Sequence, residues 1–215
     1  VPAVCGGAIE TLMTSIAKKY AAEDGFRLTI FSVYHKEAVQ AAKRYPDVRF
    51  VWTHTNTFWN LSRHAVFLAV RGLTGKTIRG WQRHYNEIAP VLQKEKFDLL
   101  LVEGGDEQAV LDIAKGYTRD QLVFHAHIHF IPKEAVVKGF GHMIGVSEFV
   151  VREYQKVCKM PVDAHVLKNS IDVERFGKPV PSETRRSIRE KLGLQEEDFV
   201  VFFVGRMIPV KGVLE

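Results

Sequence analysis

The chain has only two cysteines in 215 residues, Cys5 and Cys158, and no Cys-x-x-Cys pair. That argues against a disulfide framework, and it favours a reducing, cytoplasmic setting. No uninterrupted apolar run reaches the ~18 residues of a membrane-crossing helix, and the opening residues do not have the pattern of a signal peptide. A Gly-x-Gly-x-x-Gly fingerprint is missing too, which argues against a dinucleotide site. Acid is missing locally: between Asp47 and Glu87 there is no Asp or Glu. That stretch carries Arg49, Arg63, Arg71, Lys76, Arg79 and Arg83, whereas the rest of the chain is close to neutral within a net charge of +5.

What is present is the composition of a globular protein, 46% hydrophobic and 26% charged. Short apolar, β-branched runs recur at 27–33, 48–53, 97–104, 121–126, 141–147 and 198–205. Near-continuous apolar strands of this kind belong to a parallel sheet buried on both faces. Amphipathic stretches at 8–24, 36–45, 77–96, 107–116, 147–158 and 182–193 separate them, with Gly25, Gly116 and Gly193 as helix stops and Ser182 as a helix start. Strands alternating with helices predict an α/β, doubly wound, mostly parallel and Rossmann-like sheet.

The segment 168–182, KNSIDVERFGKPVPS, has two prolines and no apolar periodicity, and it reads as an interdomain connection. One helix and one strand follow it. The expected plan is a domain over 1–168, and a hinge with the truncated start of a second Rossmann-like domain over 169–215. The first residue is Val1, not Met, and an upstream segment containing a first strand is expected.

Three features carry chemistry. Cys5-Gly6-Gly7-Ala8 opens a helix, where two glycines let backbone N–H groups and the helix dipole meet a phosphate; a simple glycine turn explains the same residues. The run FVVFFVGRMIPVKG ends a strand with Gly205 and Arg206, then Lys211, groups suited to a diphosphate or merely solvated in a loop. In FHAHIHF, the residues His125, His127 and His129 would share one face of an extended chain. They are open to three readings: a metal site, a catalytic histidine with two neighbours, or a polar strand end. Zinc is the lesser of these, because no Cys or acidic residue flanks the run.

In order and spacing, GGAIETL, VFHAH, GVSEFVVREY, VLKNSIDVERF and FVGRMIPVKG together resemble the retaining glycosyltransferases of family 4, over nearly the whole chain. Asn169-Ser170 stands where that family usually has Asn-Gly, and the family's Glu-x7-Glu motif falls beyond Glu215. The resemblance implies the two-domain GT-B fold, with the N-terminal domain binding the acceptor and the second domain the donor. It implies that Gly6 and Gly7 face the donor phosphates, that Arg206 and Lys211 neutralise the departing diphosphate, and that His125 lies beside the donor sugar as the catalytic histidine. His127 and His129 then fall on the acceptor side. A UDP- or GDP-sugar is the implied substrate, with no metal or other cofactor, because basic side chains and helix dipoles stabilise the charge. Retention implies that a glycan or lipid-linked acceptor attacks from the face that the diphosphate leaves. A chain ending at Glu215 is expected to be inactive alone.

The basic block interleaves Trp59, Phe67, Leu68 and Trp81 with Arg63, Arg71, Lys76 and Arg79. Such a mixture suits an anionic membrane surface, which would place the protein peripherally at the inner face; core packing with solvated arginines is the plainer reading. Nucleic acid is not an expected partner. The alternatives to transfer are an NAD-dependent oxidoreductase and a non-catalytic sugar- or phosphate-binding module.

Overall fold

The computed structural model describes residues 1–20, 25–54, 62, 65–66, 68–69, 73, 83–127, 134–157, 163–205 and 212. They fall into two compact units, Val1–Ser170 and Ile171–Glu215. The first unit is mixed α/β, and among the described residues its strands pair in parallel. Strand β1 (Thr29–Val33) pairs with β2 (Arg49–Thr53). A second sheet has the order β3 (Leu100–Val102), β4 (Leu122–Ala126), β5 (His142–Gly145) and β6 (Asp163–Val166).

Parallel neighbours need a crossover, usually a helix. Helix α1 (Ala8–Tyr20) precedes β1, and α2 (Lys36–Ala42) links β1 to β2. Helix α3 (Arg83–Lys94) precedes β3. In the second sheet α4 (Glu107–Ile113), α5 (Glu134–Val137) and α6 (Glu148–Val157) make the three crossovers. Their apolar faces fill the core. Helix α6 presents Val150, Val151 and Tyr154, and Phe124 of β4 packs its ring 5.5 Å from Tyr154 and 5.6 Å from Phe140. Helix α1 lays Met13 and Ala17 over Ile30 and Val48. Helix α3 buries Tyr85, Ile88 and Leu92, residues three and four apart on one face, against Ala109.

Two elements depart from expectation. The strands form two sheets rather than one, and among the described residues β1 and β3 each have a single ladder partner. A groove of about 1870 Å³ is lined by residues 27–33 and 97–104 and floored by Ile9, Met13, Ile88 and Leu92. The second departure is at 198–205, where the expected strand is absent. Phe199, Val201 and Phe202 are 93%, 85% and 83% exposed, and an apolar run without a neighbouring ladder has nothing to hold it as a strand.

The second unit holds α7 (Val173–Phe176) and α8 (Ser182–Lys191). Gly193, at φ 70°, ends α8, and the Arg189 guanidinium then donates to the carbonyls of Gln195 and Asp198 at 3.0 and 2.8 Å.

Candidate functional site

Strand β4 is buried at all five positions, and His125 is its one ionisable residue. The β3–β4 register pairs Val102 with Phe124, so the next residues, Glu103 and His125, come level at the carboxyl ends of their strands. In open α/β sheets ligands bind outside that edge. His127 lies two residues on, and its ring centroid is 4.1 Å from that of His125.

Glu103 joins the two histidines. Its Oε2 is 3.0 Å from His125 Nδ1 and 2.8 Å from His127 Nε2, and its Oε1 is 3.1 Å from His125 Nδ1. The three side chains are 13%, 2% and 11% exposed for Glu103, His125 and His127. Burial works against ionisation of Glu103, but the hydrogen bonds and charges of His125 and His127 outweigh it and hold the carboxyl below its ordinary range. The other nitrogen of His125, Nε2, is buried with no hydrogen-bond partner among the described residues. A buried polar atom left in that state costs about 1–3 kcal/mol, and such groups call for an explanation.

The chain turns sharply after Glu103. Gly104 and Gly105 take φ of 125° and 102°, a region closed to most side chains. The turn is pinned twice. Tyr85 Oη accepts the Asp106 N–H at 2.8 Å, and Asp106 Oδ1 accepts the Ala109 N–H at 3.0 Å as the N-cap of α4. Glu103 is thus held between a strand and a capped helix.

Gly6 and Gly7 precede α1 with φ of 82° and 112°. Gly6 and Cys5 line the same groove as Glu103 and Gly104. At Gly7 the Glu10 carboxylate lies where a β-carbon would stand, so the start of α1 already has an acidic neighbour. Cys5 Sγ is 3.6 Å from His35 Nε2 at the rim of this region.

The structure therefore brings Gly6 and Glu103 to one groove, with His125 and His127 against Glu103. Arg206, Lys211 and His129 lie outside the described residues, as do Trp59, Arg63, Arg71, Lys76, Arg79 and Trp81 of the basic block. Within that block Arg49 is engaged internally, forming an ion pair with Glu95. His84 Nδ1 lies 2.7 Å from Thr53 Oγ1.

Sequence reasoning missed Glu103. The histidine run lacks an acidic partner along the chain but has one in space. The available signal was an acidic residue closing an apolar strand immediately before two glycines, LLLVEGG. Glu103, His125 and His127 each offer a ligand atom within 4.8 Å of the others, a donor set that zinc accepts. No helix among the described residues is long and apolar enough to cross a membrane. The chain matches no protein-family model and no curated protein.

Proposed function

We propose that this chain is the acceptor-side part of a retaining, metal-independent GT-B glycosyltransferase. It would move a sugar from a UDP- or GDP-linked donor to a glycan or lipid-linked acceptor. The observation that carries the reading is His125: a buried histidine at the carboxyl end of a central parallel strand, braced by a carboxylate, with one nitrogen that has no partner among the described residues. Sugars are recognised by such fixed polar groups, and a site placed at this edge of the sheet takes ligands in many α/β proteins. Gly6 supports the reading, because its backbone lines the groove that Glu103 also lines. Glu10 must swing away from Gly7 for a diphosphate to approach the start of α1. Arg206 and Lys211 are assigned to the diphosphate on sequence pattern, and His127 and His129 to the acceptor side.

The test is ligand-induced stabilisation of a polypeptide that contains both units, using UDP-glucose, GDP-mannose and NAD at equal concentration. Ligand at 100 times its Kd stabilises by about 2.7 kcal/mol, a readily measured rise in Tm. A rise with a nucleotide sugar and none with NAD is expected. Stabilisation by NAD alone would replace transfer with an oxidoreductase. Binding of a nucleotide sugar without turnover, by a polypeptide that also carries a complete donor-binding domain, would leave a non-catalytic binding module.

A further inference from the structure

The Glu103 carboxylate serves two imidazoles at once, and the proton arithmetic of that arrangement is restrictive. An ionised carboxylate has lone pairs and nothing to donate. Each contact to it, from His125 Nδ1 at 3.0 Å and from His127 Nε2 at 2.8 Å, therefore needs the proton on the histidine nitrogen. When both rings are neutral, each imidazole has one N–H. The two rings are thus held in opposite tautomers, with the lone pair of His125 on Nε2 and that of His127 on Nδ1. His125 Nε2 is the buried atom that has no partner among the described residues. Addition of a proton there would create a buried N–H that likewise has no partner among the described residues.

With both rings neutral, the cluster offers one negative charge and the acceptor lone pair of His125 Nε2. That combination suits a hydroxyl, which has a proton to give. It opposes a carboxylate or phosphate, which would meet only lone pairs and like charge. We infer that Glu103 is a positioning residue that locks His125 in the tautomer whose Nε2 accepts a hydroxyl of a neutral sugar, and that the subsite rejects anionic sugars. The sugar half of this inference rests on the glycosyltransferase reading; the tautomer half does not.

A metal ion bound between Glu103 and the two nitrogens that face it would have to displace both of their protons.

The experiment is long-range ¹H–¹⁵N correlation of the histidine rings in the 215-residue chain, near pH 8, for wild type, Glu103→Gln and Glu103→Ala. In the wild type His125 should be protonated on Nδ1 and His127 on Nε2. A carboxamide has one oxygen and one NH₂, so Glu103→Gln can keep only one ring in its original tautomer, and the other must switch. Glu103→Ala should release both rings to mixed tautomers, while the backbone spectrum reports whether the fold persists. The wild-type spectrum is decisive even where a variant does not fold. A wild-type His125 protonated on Nε2 would overturn the inference, as would tautomers unmoved in a folded Glu103→Gln. Stoichiometric binding of ZnCl₂ lost in Glu103→Ala would overturn it in favour of a metal site.

The sugar half is read by titrating the same sample with methyl α-glucopyranoside and with glucuronate. Shifts of the His125 ring with the neutral glycoside alone are expected. Glucuronate shifting it equally well would overturn the claimed selectivity. No shift with either would remove the sugar assignment while leaving the tautomer result in place; the glycosyltransferase reading stands or falls separately, on turnover by a polypeptide with a complete donor-binding domain. In an active enzyme Glu103→Gln should lower kcat, because a His125 ring no longer held by the carboxylate does not keep Nε2 presented to the substrate.

Discussion

Removal of one oxygen atom, in Tyr85→Phe, probes whether the Gly104–Asp106 turn is what holds Glu103 in place. Tyr85 is buried in the core that α3 forms with Ala109, and its hydroxyl oxygen accepts the Asp106 N–H at 2.8 Å. Phenylalanine keeps the ring and its packing and deletes only that acceptor. The N–H then loses this bond in a partly buried place where water cannot fully replace it. Loss of one partner from such a pair costs about 1–3 kcal/mol. Partial burial sets the expectation at the lower end, about 1–2 kcal/mol, which for a unit of this size lowers Tm by roughly 2–8 °C. The control is Tyr20→Phe, whose hydroxyl bonds the exposed Phe26 carbonyl and whose loss water can repair. Differential scanning calorimetry gives the stability, and amide hydrogen exchange at Asp106 gives the location. The two variants should differ clearly, and Asp106 should lose protection in Tyr85→Phe alone. Equal Tm values together with unchanged exchange at Asp106 would refute the claim that Tyr85 pins this turn.

Two further outcomes follow from packing and charge. Gly141→Ala would set its β-carbon 2.6 Å from the Arg119 carbonyl oxygen and 2.8 Å from Asp120 Cα, both backbone, so it should destabilise by about 1–3 kcal/mol; a wild-type urea midpoint would contradict this. Burial lowers the pKa of His84 from 6.5, the nearby Glu87 only partly opposing it, so the folded protein binds this proton less readily than the unfolded chain. Stability attributable to His84 is therefore complete above pH 6.5 and declines as pH falls below it, and His84→Gln should flatten that part of the Tm–pH curve. An unchanged slope in the variant would assign the pH dependence elsewhere.

Most of the sheet was legible because its strands are continuous apolar runs. LTIFSV, RFVWT and LVFHA gave their positions directly, since parallel strands buried on both faces leave little room for polar residues. Strand β6 was not legible: Asp163, Ala164, His165 and Val166 form a largely exposed edge with no apolar run to mark it. The opposite error occurred at 198–205, where VVFFV satisfies every local criterion for a strand but finds no ladder among the described residues. Local pattern reports what a segment prefers, and pairing decides what it becomes. The same distinction separates the two halves of the candidate site. That His125 and His127 share a face follows from the two-residue period of an extended chain. That Glu103 joins them follows from the pairing of Val102 with Phe124, a register set by tertiary packing across more than twenty residues of sequence.

The central claim is that His125 meets the sugar during transfer. Its most direct test is turnover from a nucleotide-diphosphate sugar by a polypeptide carrying this chain and a complete donor-binding domain, comparing wild type with His125→Ala and His127→Ala. The account predicts a loss in kcat of about 10²-fold or more for His125→Ala, the scale for removing a group that stabilises the transition state, and a milder loss for His127→Ala. Near-normal turnover by a folded His125→Ala variant would contradict it.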